Sequence, residues 1–273
     1  MFHFLIPSCI RNEIHERQLI RCINSIRNFH HENIIYIIND SDDELDIKYA
    51  GIEKNYTNTV IIKSKYRGRG ELLCFKFILE NNDDGNYFVM HDSMLLIEPL
   101  VNVESIDKVQ FLWHFTNHII NWDSIIEEKD EYNITNNIVT HTDLLKHVIE
   151  RDYNMTQQFQ DFAINYLTFK TKWCGCMGLC CITNKNTLQY MNSIVPFVEI
   201  FLSHSTRRNR VVNESIFSII CHYIYNQINF SNSYDGLYYD GIAPQKNANT
   251  PVGSDKLYYV CKNKYIGKIS FLR

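Results

Sequence analysis

Nowhere in this chain do about 18 apolar residues run together, the length a membrane-spanning helix needs, so no membrane span is expected. A cationic excess is missing too: 27 Lys and Arg stand against 31 Asp and Glu, giving a net charge of −4 and a pI of about 6.3. Without a strongly basic face, nucleic acid is not the expected partner. The opening "MFHFLIPSCIRNE" has no basic start and its apolar run breaks at Pro7, so no signal peptide is read. Free thiols in a reducing, cytoplasmic setting are therefore expected of the nine Cys, an odd number. The sequons at Asn55, Asn133, Asn154 and Asn213 are then incidental. Glycine (10) and proline (5) are scarce while Asn, Ile, Lys and Tyr abound, a bias that suits AT-rich coding and carries little weight for the fold. No internal repeat and no linker divides the chain.

What is present is apolar: 45% of the 273 residues are hydrophobic and 13% aromatic, enough for a sizeable core. One α/β domain over 1–273 is expected, with halves at 1–100 and 101–273. Phe2–Pro7 reads as a buried strand stopped by proline. In "RNEIHERQLIRCINSIRNF", Asn12 can cap a helix, Glu13 and Glu16 suit its first turn, and Leu19, Ile23 and Ile26 form an apolar stripe. "ENIIYIIND" reads as a second strand bounded by "DSDDE", "NTVIIK" as a third, and "NYFVM" as a fourth. "GRGELLCFKFILENN" reads as a helix entered through a glycine turn. This order of strand, helix, strand, strand, helix, strand predicts a mostly parallel central sheet flanked by helices on both faces. Further on, "VQFLWHF" suits a strand, while "THTDLLKHVIE" and "MTQQFQDFAINYLTF" suit helices. "WCGCMGLCCIT" suits a glycine loop entering a strand. "VVNESIFSIICHYIYNQ" suits a helix with Ile216, Ile220, Tyr223 and Ile224 on one face. Residues 231–253 have a loop's composition, and "KLYYVCKNKYIGKISF" suits a closing hairpin.

Ligands of parallel α/β sheets bind at the C-terminal strand edge. The strands predicted here end there in polar clusters: Ser8 after the first, Asp40 and Asp42 after the second, and His91–Asp92–Ser93 after the fourth.

In order and spacing, residues 2–100 resemble the GT-A glycosyltransferases, especially their large inverting group. "FLIPSCIRNEIHERQLIRCINSI" resembles the family's opening, and "IIYIINDSDDE" its second strand with an acidic nucleotide-binding cluster. "KYRGRGELLCFKFILENNDDGNYFVMHDSM" resembles the passage that leads to the family's Asp-x-Asp metal motif. More loosely, "WCGCMGLCCITNK" resembles the glycine-bearing acceptor loop, and "RRNRVVNESIF" the helix start with an acidic catalytic residue. The chain departs from the family in having Asp92 alone, with Ser93 or Met94 where the second acid would fall.

The resemblance implies a GT-A (nucleotide-diphospho-sugar transferase) fold, with 1–100 binding the donor and 101–273 the acceptor. It implies transfer of a sugar from a nucleoside diphosphate, UDP in the first instance, to a glycan or other hydroxyl acceptor. Mn²⁺ or Mg²⁺ would sit at Asp92, since one carboxylate with phosphates and waters can suffice and the dependence can be weak. His91 would donate to phosphate or ligate Mn²⁺. Pro7, Ser8 and Cys9 would line the base pocket, and Asp40, with Asp42 as runner-up, would hold base or ribose. Arg67, Gly68 and Arg69, with Lys65 and Gly70, would face the phosphates. Trp173, Gly175, Cys176 and Gly178 would form the sugar or acceptor loop. Glu214 would be the general base of an inverting displacement, with Glu199 and Asp161 as alternatives, and Arg207, Arg208 and Arg210 would meet phosphate.

Each residue also has a plain reading. Asp40 and Asp42 suit a solvated acidic turn, 65–70 a surface basic turn, Glu214 a dipole-stabilised first-turn carboxylate, and Trp173 a core residue. Cys174, Cys176, Cys180 and Cys181 crowd into eight residues, unlike the separated knuckles of structural zinc, and read as buried thiols. His114, His118, His141, His147, His204 and His222 lack metal-ligand spacing. "GRGELL" lacks the third glycine of a dinucleotide fingerprint. Two rivals are a sugar nucleotidyltransferase, opposed by the absence of glycine in "PSCIRNE", and a catalytically inactive nucleotide-binding module, favoured by the reduced acid motif.

Overall fold

Short, nearly continuous apolar runs build four parallel strands in the first ninety residues: β1 (Phe2–Ser8), β2 (Ile35–Asn39), β3 (Thr59–Lys63) and β4 (Asn86–Val89). A computed structural model describes residues 2–70, 72–96, 99–100, 108–112, 114–116, 141–169, 174–204, 207–227, 258–262 and 266–270. β1 lies between β2 and β4, in register from Phe4 opposite Ile35 to Ser8 opposite Asn39, and from Phe2 opposite Asn86 to Leu5 opposite Val89. β9 (Cys181–Asn184) pairs antiparallel with β4, and β6 (Gln110–Phe111) antiparallel with β9. The result is a mixed six-stranded sheet in the order β3-β2-β1-β4-β9-β6.

Strand alternation splits the apolar residues between two cores, one on each face. Phe4, Ile6, Ile35, Ile37, Phe88 and Met90 pack with Leu19, Cys22, Ile23 and Ile26 of helix α1 (Glu13–Arg27). Leu5, Ile38, Tyr87 and Val89 pack with Leu72, Phe75 and Ile78 of helix α3 (Leu72–Glu80) and with later helices. Those later helices are His141–Arg151, Gln157–Phe169, Lys185–Ile194, Phe197–Ser203 and Arg207–Gln227. Ile216, Ile220, Tyr223 and Ile224 are buried on one helix face, as the sequence predicts. Each large side chain fully buried in this way contributes about 1.5–3 kcal/mol relative to exposure.

α1 forms as its sequence predicts. Asn12 accepts from the His15 N–H at 3.1 Å, Glu13 and Glu16 occupy the first turn, and Arg27 ends the helix. Arg27 then fastens the loops below the sheet, donating to the carbonyls of His30, His31, Asn33, Thr57 and Asn58.

Four readings are corrected. A helix α2 (Asp46–Asn55) stands between β2 and β3, where none is expected, because only Tyr49 and Ile52 are buried and no apolar stripe announces it. "VQFLWHF" divides between β6 and β7 (His114–Thr116), the latter pairing with β8 (Cys174–Cys176). Helices Lys185–Ile194 and Phe197–Ser203 stand where the sequence reading places no element. The last long helix begins at Arg207, so Glu214 lies well inside it and its first turn holds no acid. The dipole argument for Glu214 falls with that boundary, and Arg207, Arg208 and Arg210 belong to the helix rather than precede it.

The closing hairpin is present as β10 (Tyr258–Lys262) and β11 (Ile266–Ser270), antiparallel. β11 also pairs with a short strand, β5 (Met94–Leu96), that starts just after Ser93. The loop read at 231–253 and Trp173 lie outside the described residues.

Candidate functional site

The parallel strands end on one edge, and the polar residues predicted there do meet. Ser8, at the end of β1, donates from Oγ to Asp92 Oδ2 at 3.0 Å, and the Asp40 N–H donates to the Ser8 carbonyl at 2.8 Å. Pro7 is half-buried opposite Ile38, and Cys9 is a half-buried free thiol just beyond the strand.

Asp40 grips the basic turn. Its two carboxylate oxygens accept from the Gly68 N–H at 3.1 and 3.0 Å, in a turn where Gly68 has φ +73° and Gly70 φ +49°. That backbone region is open to glycine at little cost. Arg67 reaches Asp42 at 3.1 Å and Asp43 at 2.8 Å, while Lys63 holds Asp46 at 2.6 Å and Asp43 at 3.1 Å. The hydrogen bonds from Lys63 are the leading cause that holds the Asp43 and Asp46 carboxyls below their ordinary range. Arg69 is half-buried, with an Nη1 that has no hydrogen-bond partner, and Lys65 is exposed.

His91 joins the other half of the molecule. Its Nε2 lies 2.9 Å from the Gly178 carbonyl oxygen. Gly178 has φ +59°, and a Cβ there would collide with the His91 ring. The glycine loop is thus brought onto the His91–Asp92 corner. Gly175 pairs with Phe115 in the β7–β8 ladder, and Cys176 is buried, its thiol 3.5 Å from the Cys180 carbonyl. Helix Arg207–Gln227 packs against β8 and the turn at 177–179. Glu214 on that helix is half-buried, and its charge reaches the Cys176 thiol. Glu199 and Asp161 are exposed, and Asp161 accepts from Gln157 at 2.8 Å beside a 440 Å³ cleft between helices.

The buried thiols Cys22, Cys176 and Cys181 stay protonated. Burial, then the charge of Asp92, pushes the Cys22 thiol well up, and burial leads the same shift at Cys176 and Cys181. Among the described residues no three His, Cys, Asp or Glu side chains group in metal-binding geometry. A hard cation at this corner would therefore depend on one carboxylate, Asp92.

One functional candidate escaped sequence reasoning. Tyr49 of α2 is buried beneath the site, its hydroxyl 2.9 Å from Ser41 Oγ, 3.2 Å from the Ser8 carbonyl and 3.3 Å from Ser8 Oγ. The only signal was the pair Tyr49 and Ile52 at helical spacing.

No protein-family model matches the chain, and no curated protein does. Among solved structures, a chain described as the crystal structure of S. aureus TarS is similar at 13% identity and a TM-score of 0.27. The overlap covers 36% of this chain and 17% of that chain. Likeness at that level fixes neither fold family nor activity. Among the described residues no helix is long and apolar enough to cross a membrane.

Proposed function

We propose that the chain is a GT-A-type glycosyltransferase that uses a nucleoside-diphosphate sugar, UDP-linked in the first instance. One observation carries this reading. The strand-end corner Ser8–Asp92 and the glycine loop, sequence-distant elements expected to share a site, are joined through the His91–Gly178 contact.

The donor set fits a hard divalent cation: a carboxylate and a hydroxyl face the corner, while the Cys22 thiol behind it is buried and protonated. Asp92 would hold Mn²⁺ or Mg²⁺, which when bound neutralises charge on the departing diphosphate. Arg69 would add a cation to the diphosphate from the glycine turn. Asp40, already acting as an acceptor for an N–H, would take the base or ribose on exchanging Gly68 for ligand. Glu214 would remove the acceptor hydroxyl's proton as the sugar is displaced with inversion. Strand β8 and the turn at 177–179 would close the acceptor side against water.

A thermal-shift panel of UDP-, GDP-, TDP- and CMP-sugars, with and without Mn²⁺, tests this. A ligand at a hundred times its Kd adds about 2.7 kcal/mol to native-state stability. The expected result is a Mn²⁺-dependent shift for one nucleotide class that disappears in Asp92→Ala. No shift with any nucleotide sinks the donor site.

The reduced acid motif, with Ser93 following Asp92, favours a second reading: a nucleotide-binding module without turnover. Nucleotide binding without release of free sugar or transfer to any acceptor would select it. A nucleotidyltransferase gains no support, since β1 passes to α1 through Cys9–Asn12 with no glycine to wrap a triphosphate.

A further inference from the structure

Tyr49, Ser41 and Ser8 form a chain of hydroxyls whose donor directions can be counted out. Ionised, Asp92 only accepts, so the single Ser8 Oγ proton goes to Asp92 Oδ2 at 3.0 Å. Ser8 Oγ then accepts from Tyr49, whose one proton points toward Ser8 Oγ and its carbonyl at 3.3 and 3.2 Å. The Tyr49 oxygen has two lone pairs. With the Tyr49 proton placed on Ser8, the Ile10 N–H takes one at 3.1 Å and Ser41 Oγ, at 2.9 Å, donates to the other. Ser41 is itself fixed, its N–H donating to Asn39 Oδ1 at 2.9 Å while Asn39 Nδ2 donates to Asp46 at 2.7 Å. Ser8, Ser41 and Tyr49 are all at most 3% exposed, so water does not compete. Burial, the leading cause, raises the Tyr49 phenol above its ordinary range, with the charge of Asp92 adding to it, and so keeps it a donor.

We propose that Tyr49 is a positioning residue that, acting through Ser8, orients the Asp92 carboxylate toward a divalent cation and diphosphate; the ligand named here rests on the donor-site reading above. The relay also makes the acidic end of the site, at Asn39–Asp46, continuous with the cation end at Asp92. A ligand group that reorders 40–46 is thereby felt at the cation.

The test compares wild type with Tyr49→Phe, Ser8→Ala, the double variant and Ser41→Ala, which breaks the relay at its far end should Tyr49→Phe not fold. Two quantities are read. One is UDP affinity in Mn²⁺ by calorimetry. The other is the carboxylate stretch of Asp92 without ligand, isolated as an infrared difference against Asp92→Asn. Tyr49→Phe and Ser41→Ala are expected to move the stretch in the same direction as Ser8→Ala. Tyr49→Phe should weaken Mn²⁺-dependent UDP binding by about 10-fold, the lower end for outer-shell partners, with the double variant no worse than Ser8→Ala. A lower melting temperature with stretch and affinity unchanged overturns the proposal. So do additive losses in the double variant. A wild type that binds no nucleotide but whose Asp92 stretch still responds to Tyr49→Phe upholds the relay and removes the donor reading.

Discussion

His141 is a buried base with a measurable cost. It is 4% exposed, its Nε2 is 3.2 Å from Ser215 Oγ, and burial lowers its pKa to about 4. In the unfolded chain an ordinary His titrates near 6.5, so between these values the unfolded state binds the extra proton. Stability from this group is fully present above the unfolded value and is lost as pH falls toward 4, by about 1.4 kcal/mol per pH unit within the window. Urea midpoints at pH 7 and pH 5 should therefore converge in His141→Gln, and an unchanged gap would assign the acid loss to other groups. Gly178 gives a second prediction at this scale. Gly178→Ala adds a methyl into the His91 ring in a left-handed backbone, so it should cost about 1–3 kcal/mol. It should also abolish any Mn²⁺-dependent nucleotide shift while leaving far-ultraviolet dichroism intact.

The elements differ in how openly they announce themselves. α1 was legible because cap, first-turn acids and apolar stripe agree, and Asn12→Ala should cost about 1 kcal/mol in chemical unfolding. α2 was not, because its core contribution is two residues and the rest of it is polar or exposed. With α2 unannounced, Tyr49 is unannounced too, since its contacts with Ser8 and Ser41 arise from tertiary placement. The start of the last helix was misplaced for a related reason: "RRNR" carries no apolar residue, so apolar periodicity begins only after it. Strand ends fared better, since the buried runs stop where the polar residues Ser8, Asp40 and His91 begin. Below the sheet, Arg27 spans α1 and the loops into β2 and β3 with five carbonyl contacts. Arg27→Ala should cost about 3 kcal/mol, read as a shifted urea midpoint with no change in nucleotide response.

At the scale of the whole molecule, two cores share one sheet. Phe4 faces one and Leu5 the other, so neither core can dissolve without unseating the strand between them. Phe217 anchors the larger core, its ring 4.8 Å from that of Phe75 and 5.9 Å from that of Phe197. Phe217→Ala should cost about 3–5 kcal/mol, and Phe4→Ala a similar amount. Both should lower the same single calorimetric transition, and two separated transitions would show that the cores melt independently.

β5 has a consequence for how the protein comes into being. Among the described residues the strand that leaves Asp92 pairs with β11, where Met94 lies opposite Lys268. A ribosome delivers the corner early and its brace late. The nascent chain can close β1, β2, β3 and β4 by local encounters, yet β5 waits for its β11 partner until 266–270 have emerged, with β9 arriving in between. A chain stalled during synthesis thus carries the parallel strands β1 to β4 without the strand that braces β5 beside Asp92.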